Sequence, residues 1–154
     1  MAKRACLLEL GWYTPCSILC MLSTSHELNP MFLSHEDLEP ALEDISALCA
    51  MLDLDPLQPD ALETLDMAWQ DLRPRLLDHM RAEEQWIFPA VVAMGAPTPL
   101  LTSLMTAHER LRYAVERCTQ DGPTDPRLVA SFVRHFNAHV EFEEHALSGF
   151  YARC

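Results

Sequence analysis

Length, composition and charge already restrict what this chain can be. Its 154 residues are the size of one ordinary domain, and no run of about 18 uncharged apolar residues is present to span a membrane. Its formal net charge of -12 would repel a phosphate backbone, so nucleic acid is a poor partner.

The residue usage favours helices throughout. Only four glycines occur, alternating strand patterns are hard to find, and long stretches are rich in Ala, Leu, Glu and Met. Proline and glycine divide the chain at 56–59, 95–99 and 122–126. We therefore predict an all-α, up-and-down four-helix bundle. Its helices are expected at about 29–53, 60–94, 98–119 and 125–151.

The start of the chain differs from the rest. Residues 1–25 lack a clean helical period, and residues 1–28 are predicted to form an N-terminal extension to a bundle of residues 29–154. Glu9 and Pro15 interrupt the apolar stretch that a signal peptide would need. Because the six cysteines include no C-x-x-C pair, we expect mostly reduced thiols and a cytoplasmic protein.

Each predicted helix carries an apolar stripe with steps of three and four residues, as a bundle core requires. Polar residues interrupt every stripe: helices 1 and 3 each contain one histidine, and helices 2 and 4 each contain a His-x-x-x-Glu pair. The stripe of helix 2 continues to Trp86, which could shield a site there. In chain order the interruptions are His35, His79, Glu83, His108, His139 and Glu143.

These six residues are expected to lie at one depth in the core. In an up-and-down bundle, positions equally far from a turn lie at the same height. The midpoint of 35 and 79 is 57, that of 81 and 108 is about 94, and that of 108 and 141 is about 124. Each midpoint falls in or beside a predicted turn, so the six side chains should converge.

A buried cluster of imidazoles and carboxylates indicates a bound cation. Without compensation, burial would cost several kcal/mol per charged group, whereas a whole domain is stable by about 5–15 kcal/mol. A pair of metal ions would neutralise the cluster, and mixed imidazole and carboxylate ligands favour iron, manganese or zinc over calcium or magnesium. Iron is the first choice. The paired E-x-x-H motifs of ferritin-like proteins and the H-E-x-x-H motif of zinc proteases are not found.

The same stretches resemble the hemerythrin-like (HHE cation-binding) family over about residues 29–151. The matching text is His79-Met-Arg-Ala-Glu83-Glu84 with Ile87-Phe88-Pro89, then Ala107-His108-Glu109, then His139-Val-Glu-Phe-Glu143-Glu144. The resemblance implies a non-haem di-iron centre with an oxo or hydroxo bridge; manganese or zinc could substitute. It assigns one iron to His35 and His79, the other to His108 and His139, and the bridges to Glu83 and Glu143.

Two positions depart from the oxygen-carrying members of that family. Those members have a fifth histidine one turn after the helix 3 histidine, where this chain has Arg112. They have an aspartate five residues after the helix 4 histidine, where this chain has Glu144. The pattern is more similar to the branch that includes repair proteins for iron-sulfur centres under nitrosative or oxidative stress.

Several residues near the cluster leave alternatives open. His135, one turn before His139, could be a ligand, a hydrogen-bond partner of a ligand or a surface residue, and the last two are favoured. Glu144 is an alternative to Glu143 as a ligand. Otherwise Glu84 and Glu144 are expected to be exposed partners for arginine.

Three functions fit these features. The first is a cytoplasmic di-iron protein that interacts with O2, NO or peroxide, or supplies labile iron, in stress response or sensing. The second is a di-iron oxidase or peroxidase, although the sequence identifies no substrate, so enzymatic activity stays open. The third is a regulatory metal-binding module that contacts a protein partner through residues 1–25, with Cys16 and Cys20.

Overall fold

The computed structural model describes residues 34–119 and 123–152, and all secondary structure within these ranges is helical. Because the backbone stays helical through a π-helical turn at Glu83–Ile87, the two helices that flank this turn form one rod. The described chain is thus an up-and-down four-helix bundle, which confirms the predicted fold class. The helices are α1 (His35–Leu54), α2 (Pro59–Ala82), α3 (Phe88–Ala93), α4 (Thr98–Arg117) and α5 (Pro126–Tyr151).

The first helix begins later than its periodicity predicts. The Asp37 N–H donates to Ser34 Oγ at 3.3 Å, and the Ser34 N–H donates to the Asp37 carboxylate at 2.8 Å. This reciprocal capping box starts the helix at His35 rather than near residue 29. The predicted extension of residues 1–28, including Cys16 and Cys20, lies outside the described residues.

The helices enclose two apolar clusters. α1 packs against α2 and α5, and α5 also packs against α4. The larger cluster draws on all four of these helices and includes Trp69 and Phe132, whose ring centroids lie 5.2 Å apart at a steep angle. The smaller cluster joins α3 to α4 and α5 around Phe88, Leu104 and Leu147. None of the described helices has an apolar stretch long enough to cross a bilayer.

The predicted stripes match the burial at most positions. Four apolar residues spaced along the stripes lie nearer to solvent: Leu62 is 36% exposed, and Leu101, Leu128 and Ala146 are only half-buried. Two cysteines within the stripes, Cys49 and Cys118, are buried free thiols. The buried apolar stripe residues are Leu38, Leu42, Ile45, Cys49, Leu52, Leu65, Trp69, Leu72, Leu76, Leu104, Leu111, Val115, Cys118, Phe132, Phe136 and Phe150.

The π-helical turn changes which aromatic residue faces the core. Pro89 has no N–H to donate, and a proline ring clashes with the carbonyl four residues earlier in a regular helix. Here the helix widens, and the Phe88 N–H donates to the Glu83 carbonyl five residues back. The extra residue shifts the phase of the rod, so Phe88 is buried. Trp86, which the regular period placed on the stripe, is only half-buried.

Candidate metal centre

A layer of polar side chains lies between the two apolar clusters. On α4, for example, His108 falls between Leu104 of the smaller cluster and Leu111 of the larger one. The structure brings together all six residues that the sequence singled out. Five of them are buried, and the sixth, His35, keeps 20% of its side chain exposed.

The atoms that could bind a metal form two groups that share one carboxylate. Within each group these atoms lie within 4.8 Å of one another. We call them the His108 group and the His35 group. The His108 group consists of Glu83, His108, His139 and Glu143, and the His35 group consists of His35, His79 and Glu83.

Glu83 faces the two groups with different oxygens. Its Oε1 lies 3.2 Å from His79 Nε2 and 3.5 Å from His35 Nε2, whereas its Oε2 lies 3.4 Å from His108 Nε2. A carboxylate that bridges two ions needs one oxygen on each side. Glu143 is placed differently, because its Oε2 lies 3.1 Å from His139 Nε2 and 4.0 Å from His108 Nε2, both in the His108 group.

The donor atoms converge without satisfying one another. Glu83 Oε2 and Glu143 Oε2 are buried and accept no hydrogen bond, although histidine nitrogens lie nearby. Glu83 and Glu143 are only 3% and 2% exposed, and within the described ranges their ion-pair contacts are to histidine alone. An uncompensated buried carboxylate costs several kcal/mol. The donor set therefore fits a bound cation.

Two further glutamates set the protonation of the histidine rings. His108 Nδ1 lies 2.9 Å from Glu84 Oε1, and His35 Nδ1 lies 3.3 Å from Glu144 Oε1. Because a carboxylate can only accept, each Nδ1 must carry the hydrogen. In the neutral ring this leaves a lone pair on Nε2, the nitrogen that faces the cluster.

The two clustered carboxyls have opposite pKa shifts. Burial raises the pKa of Glu143 above its ordinary value, because the nearby His139 does not offset it. Burial acts on Glu83 in the same way, but its close contacts with His108, His35 and His79 outweigh burial and lower its pKa. Burial alone would lower the pKa of His35 and His108, yet the contact with Glu83 raises both.

The remaining predicted residues lie outside both groups. His135 is exposed, and a surface position is one of the two placements that the sequence favoured. Glu144 contacts His35 and is 64% exposed. Glu84 contacts an arginine as predicted, with its Oε1 2.7 Å from Arg112 Nη2, but it is only 19% exposed and also accepts from His108. Sequence reasoning missed the contacts of both glutamates with histidine; the available signal was the doubled glutamate in each motif.

A separate cavity lies between α1 and α5. It has a volume of about 730 Å³, and Cys49, Asp53, Arg127 and Arg134 are among its lining residues. None of its lining residues belongs to the His108 group or the His35 group. It therefore gives no support for a substrate site beside the candidate metal centre.

Comparison with known proteins gives one finding. A family model described as the hemerythrin HHE cation binding domain matches residues 28–151. Searches of curated proteins and of solved structures gave no significant match. The matched range contains all six clustered residues, so the resemblance that their motifs indicate is confirmed at the level of the family.

Proposed function

This chain belongs to the hemerythrin HHE cation-binding domain family, and from that premise we propose that it is a non-haem di-iron protein. In this proposal it binds O2, NO or peroxide, or releases labile iron, in stress response or sensing. The position of Glu83 carries the proposal, because its two oxygens face different histidine groups. A cluster built for a single ion would not need one carboxylate directed to both sides.

The proposed ligands follow from the two groups. One ion is assigned to the His35 group and the other to the His108 group, with Glu83 shared. The resemblance also assigns a bridge to Glu143, whose Oε2 is directed to the histidines of the His108 group. Imidazole and carboxylate ligands suit iron, and manganese and zinc fit the same donor set.

Two phenylalanine rings lie beside the histidines of the candidate metal centre. The buried Phe136 ring lies 6.5 Å from the His35 ring, 6.1 Å from the His79 ring and 6.4 Å from the His139 ring, measured between centroids. The Phe88 ring lies 5.2 Å from the His108 ring. These apolar rings border the histidines of both groups. When bound, the ions would supply open coordination positions, since the His35 group offers only three protein ligands.

Anaerobic iron reconstitution tests the proposal. The metal-free protein is incubated with Fe²⁺, freed of excess iron and subjected to elemental analysis. We expect about two irons per chain and, after exposure to air, a near-ultraviolet absorption band typical of ligand-to-iron charge transfer. His135→Ala should load like the wild type because His135 is exposed and outside both groups. An iron content near zero with unchanged helical circular dichroism would refute the proposal.

Ligand titrations then separate the three possible roles. NO or O2 added to the ferrous protein should produce saturable absorption changes if the centre binds small ligands. Rapid transfer of iron to a competing chelator, with no such saturation, would favour iron supply. Peroxide or NO turnover above that of a Glu83→Gln control would move the protein to the enzyme class.

A further inference from the structure

Each His-x-x-x-Glu motif of this chain is followed at once by a second glutamate. Both of these glutamates reach a histidine on the neighbouring rod: Glu84 accepts from His108 Nδ1 at 2.9 Å, and Glu144 accepts from His35 Nδ1 at 3.3 Å. The arrangement repeats in the two halves of the bundle. Each half therefore has one inner glutamate among the proposed ligands and one outer glutamate behind a histidine.

The two outer glutamates differ in how firmly they are held. The Oε1 atom of Glu84 that accepts from His108 also lies 2.7 Å from Arg112 Nη2, and the Glu84 side chain is 19% exposed. Glu144 is 64% exposed, and its ion-pair contact within the described chain is with His35 alone. Arg112 lies one turn after His108 on α4, so the same helix supplies both donors to Glu84.

We propose that Glu84, held by Arg112, is a positioning residue for His108 and so raises the metal affinity of the His108 group. The inference rests on the proposed metal centre. The Glu84 carboxylate keeps the hydrogen on Nδ1, directs the Nε2 lone pair to the cluster and makes the ring a stronger base. Arg112 keeps Glu84 from rotating into solvent.

This assignment gives Arg112 a role at the position where the oxygen-carrying relatives have a fifth histidine. Arg112 belongs to neither ligand group and directs its guanidinium to an outer carboxylate. An ordinary partly exposed ion pair would have little effect on stability and none on metal affinity. A measurement of metal affinity therefore distinguishes a positioning role of Glu84 and Arg112 from that of an ordinary ion pair.

Zinc titration against a chromophoric chelator provides the test, with Zn²⁺ as the probe. Glu84→Ala should weaken one of the zinc sites by about 10- to 100-fold, the usual effect of removing such a partner. Glu84→Gln retains an accepting oxygen and should weaken it by less than about tenfold. Glu144→Ala is the matched comparison from the other half, and we expect a smaller loss than for Glu84→Ala because that side chain is mostly in solvent. His135→Ala is the control that should bind zinc like the wild type.

Nitrogen-15 NMR of the zinc-loaded protein adds a readout that a purely structural role would not change. In the wild type, the His108 Nδ1–H should exchange slowly with water and give a resolved imidazole signal. Glu84→Ala should broaden or remove that signal, and Arg112→Leu should weaken it in part. If Glu84→Ala does not fold, Glu84→Gln and Arg112→Leu provide the same comparison.

The outcomes separate this inference from the proposed function. A wild-type protein that binds no metal would overturn both. A wild-type protein that binds zinc, together with an unchanged zinc affinity in Glu84→Ala, would overturn the inference alone. Circular dichroism and thermal unfolding of the metal-free variants must show that each is folded before affinities are compared.

Discussion

The two histidine groups are built from similar local sequences but lie in different surroundings. His108 is fully buried, with the Phe88 ring beside it, whereas His35 retains 20% side-chain exposure and its outer glutamate is in solvent. The cause is the position of each histidine in its helix. α4 continues for more than two turns on both sides of His108, while α1 begins at His35. The sequence motifs therefore determine which side chains meet in the cluster. The distance of each histidine from the end of its helix determines how much solvent reaches it.

The largest effect is expected at the carboxylate shared by the two groups. Glu83→Gln should abolish the binding of both ions, lowering iron from about two per chain to nearly none, because both groups lose a charged ligand. Glu143→Gln should retain about one iron per chain, since Glu143 belongs to the His108 group alone. Elemental analysis after reconstitution measures both. Equal losses in the two variants would show that Glu143 bridges as fully as Glu83.

The difference in exposure predicts two phases of metal release. A soluble chelator should remove the ion of the His35 group first, because His35 is partly exposed and Glu144 holds it weakly. The ion of the His108 group should leave at least about tenfold more slowly. Stopped-flow absorbance after mixing with excess chelator follows both phases. A single phase that accounts for both ions would contradict the structural difference between the groups.

The stability of the metal-free protein should depend on pH through the histidines that contact Glu83. Although burial opposes protonation, Glu83 raises the pKa of His35 and His108 above the reference value of 6.5. A raised folded-state pKa adds stability that is complete below the unfolded value and is lost as the pH rises through the folded value. The free energy of unfolding should therefore fall as the pH rises above about 6.5.

Urea unfolding of metal-free protein at a series of pH values measures how the free energy of unfolding depends on pH. Glu143, whose pKa is raised mainly by burial, acts in the same direction from its reference value of 4.5 upward. Glu83→Gln should reduce the part of this pH dependence that the histidines cause, because the carboxylate that favours the charged rings is removed. A stability that rises across this range in the absence of metal would refute the assignment.

The smallest effect is expected at the histidine that sequence spacing left ambiguous. His135→Ala should change the free energy of unfolding by less than about 0.5 kcal/mol, as exposed substitutions usually do. Iron content and both phases of release should match those of the wild type. Altered release of either ion would assign His135 to one of the two groups.

Helical periodicity and turn positions were sufficient to predict the bundle and the convergence of the six residues. Both depend on regular α-helical geometry, which holds along most of each helix. The burial of Phe88 in place of Trp86 was not predicted. Pro89 widens the helix, and a fixed period of 3.6 residues does not account for an added residue. Proline after the doubled glutamate was a usable signal for this change.

The outer glutamates were harder to predict for a different reason. Spacing along one helix shows which side a residue faces, but it does not show which side chain of the neighbouring helix it meets. Glu84 and Glu144 are one residue past a buried position, so a helical wheel places them toward solvent. Their contacts with His108 and His35 depend on how closely the rods approach, which only the assembled bundle determines.

The π-helical turn at Glu83–Ile87 separates the length of the rod from the orientation of the side chains that follow the turn. Loss of one codon within the turn would return the rod to a regular α-helix without rotating the side chains that follow, because the wide turn already absorbs one extra residue. His79 and Glu83 before the turn and Phe88 after it would keep their present contacts with the cluster and with His108. A change of one residue in the length of this rod is therefore compatible with an unchanged set of candidate ligands.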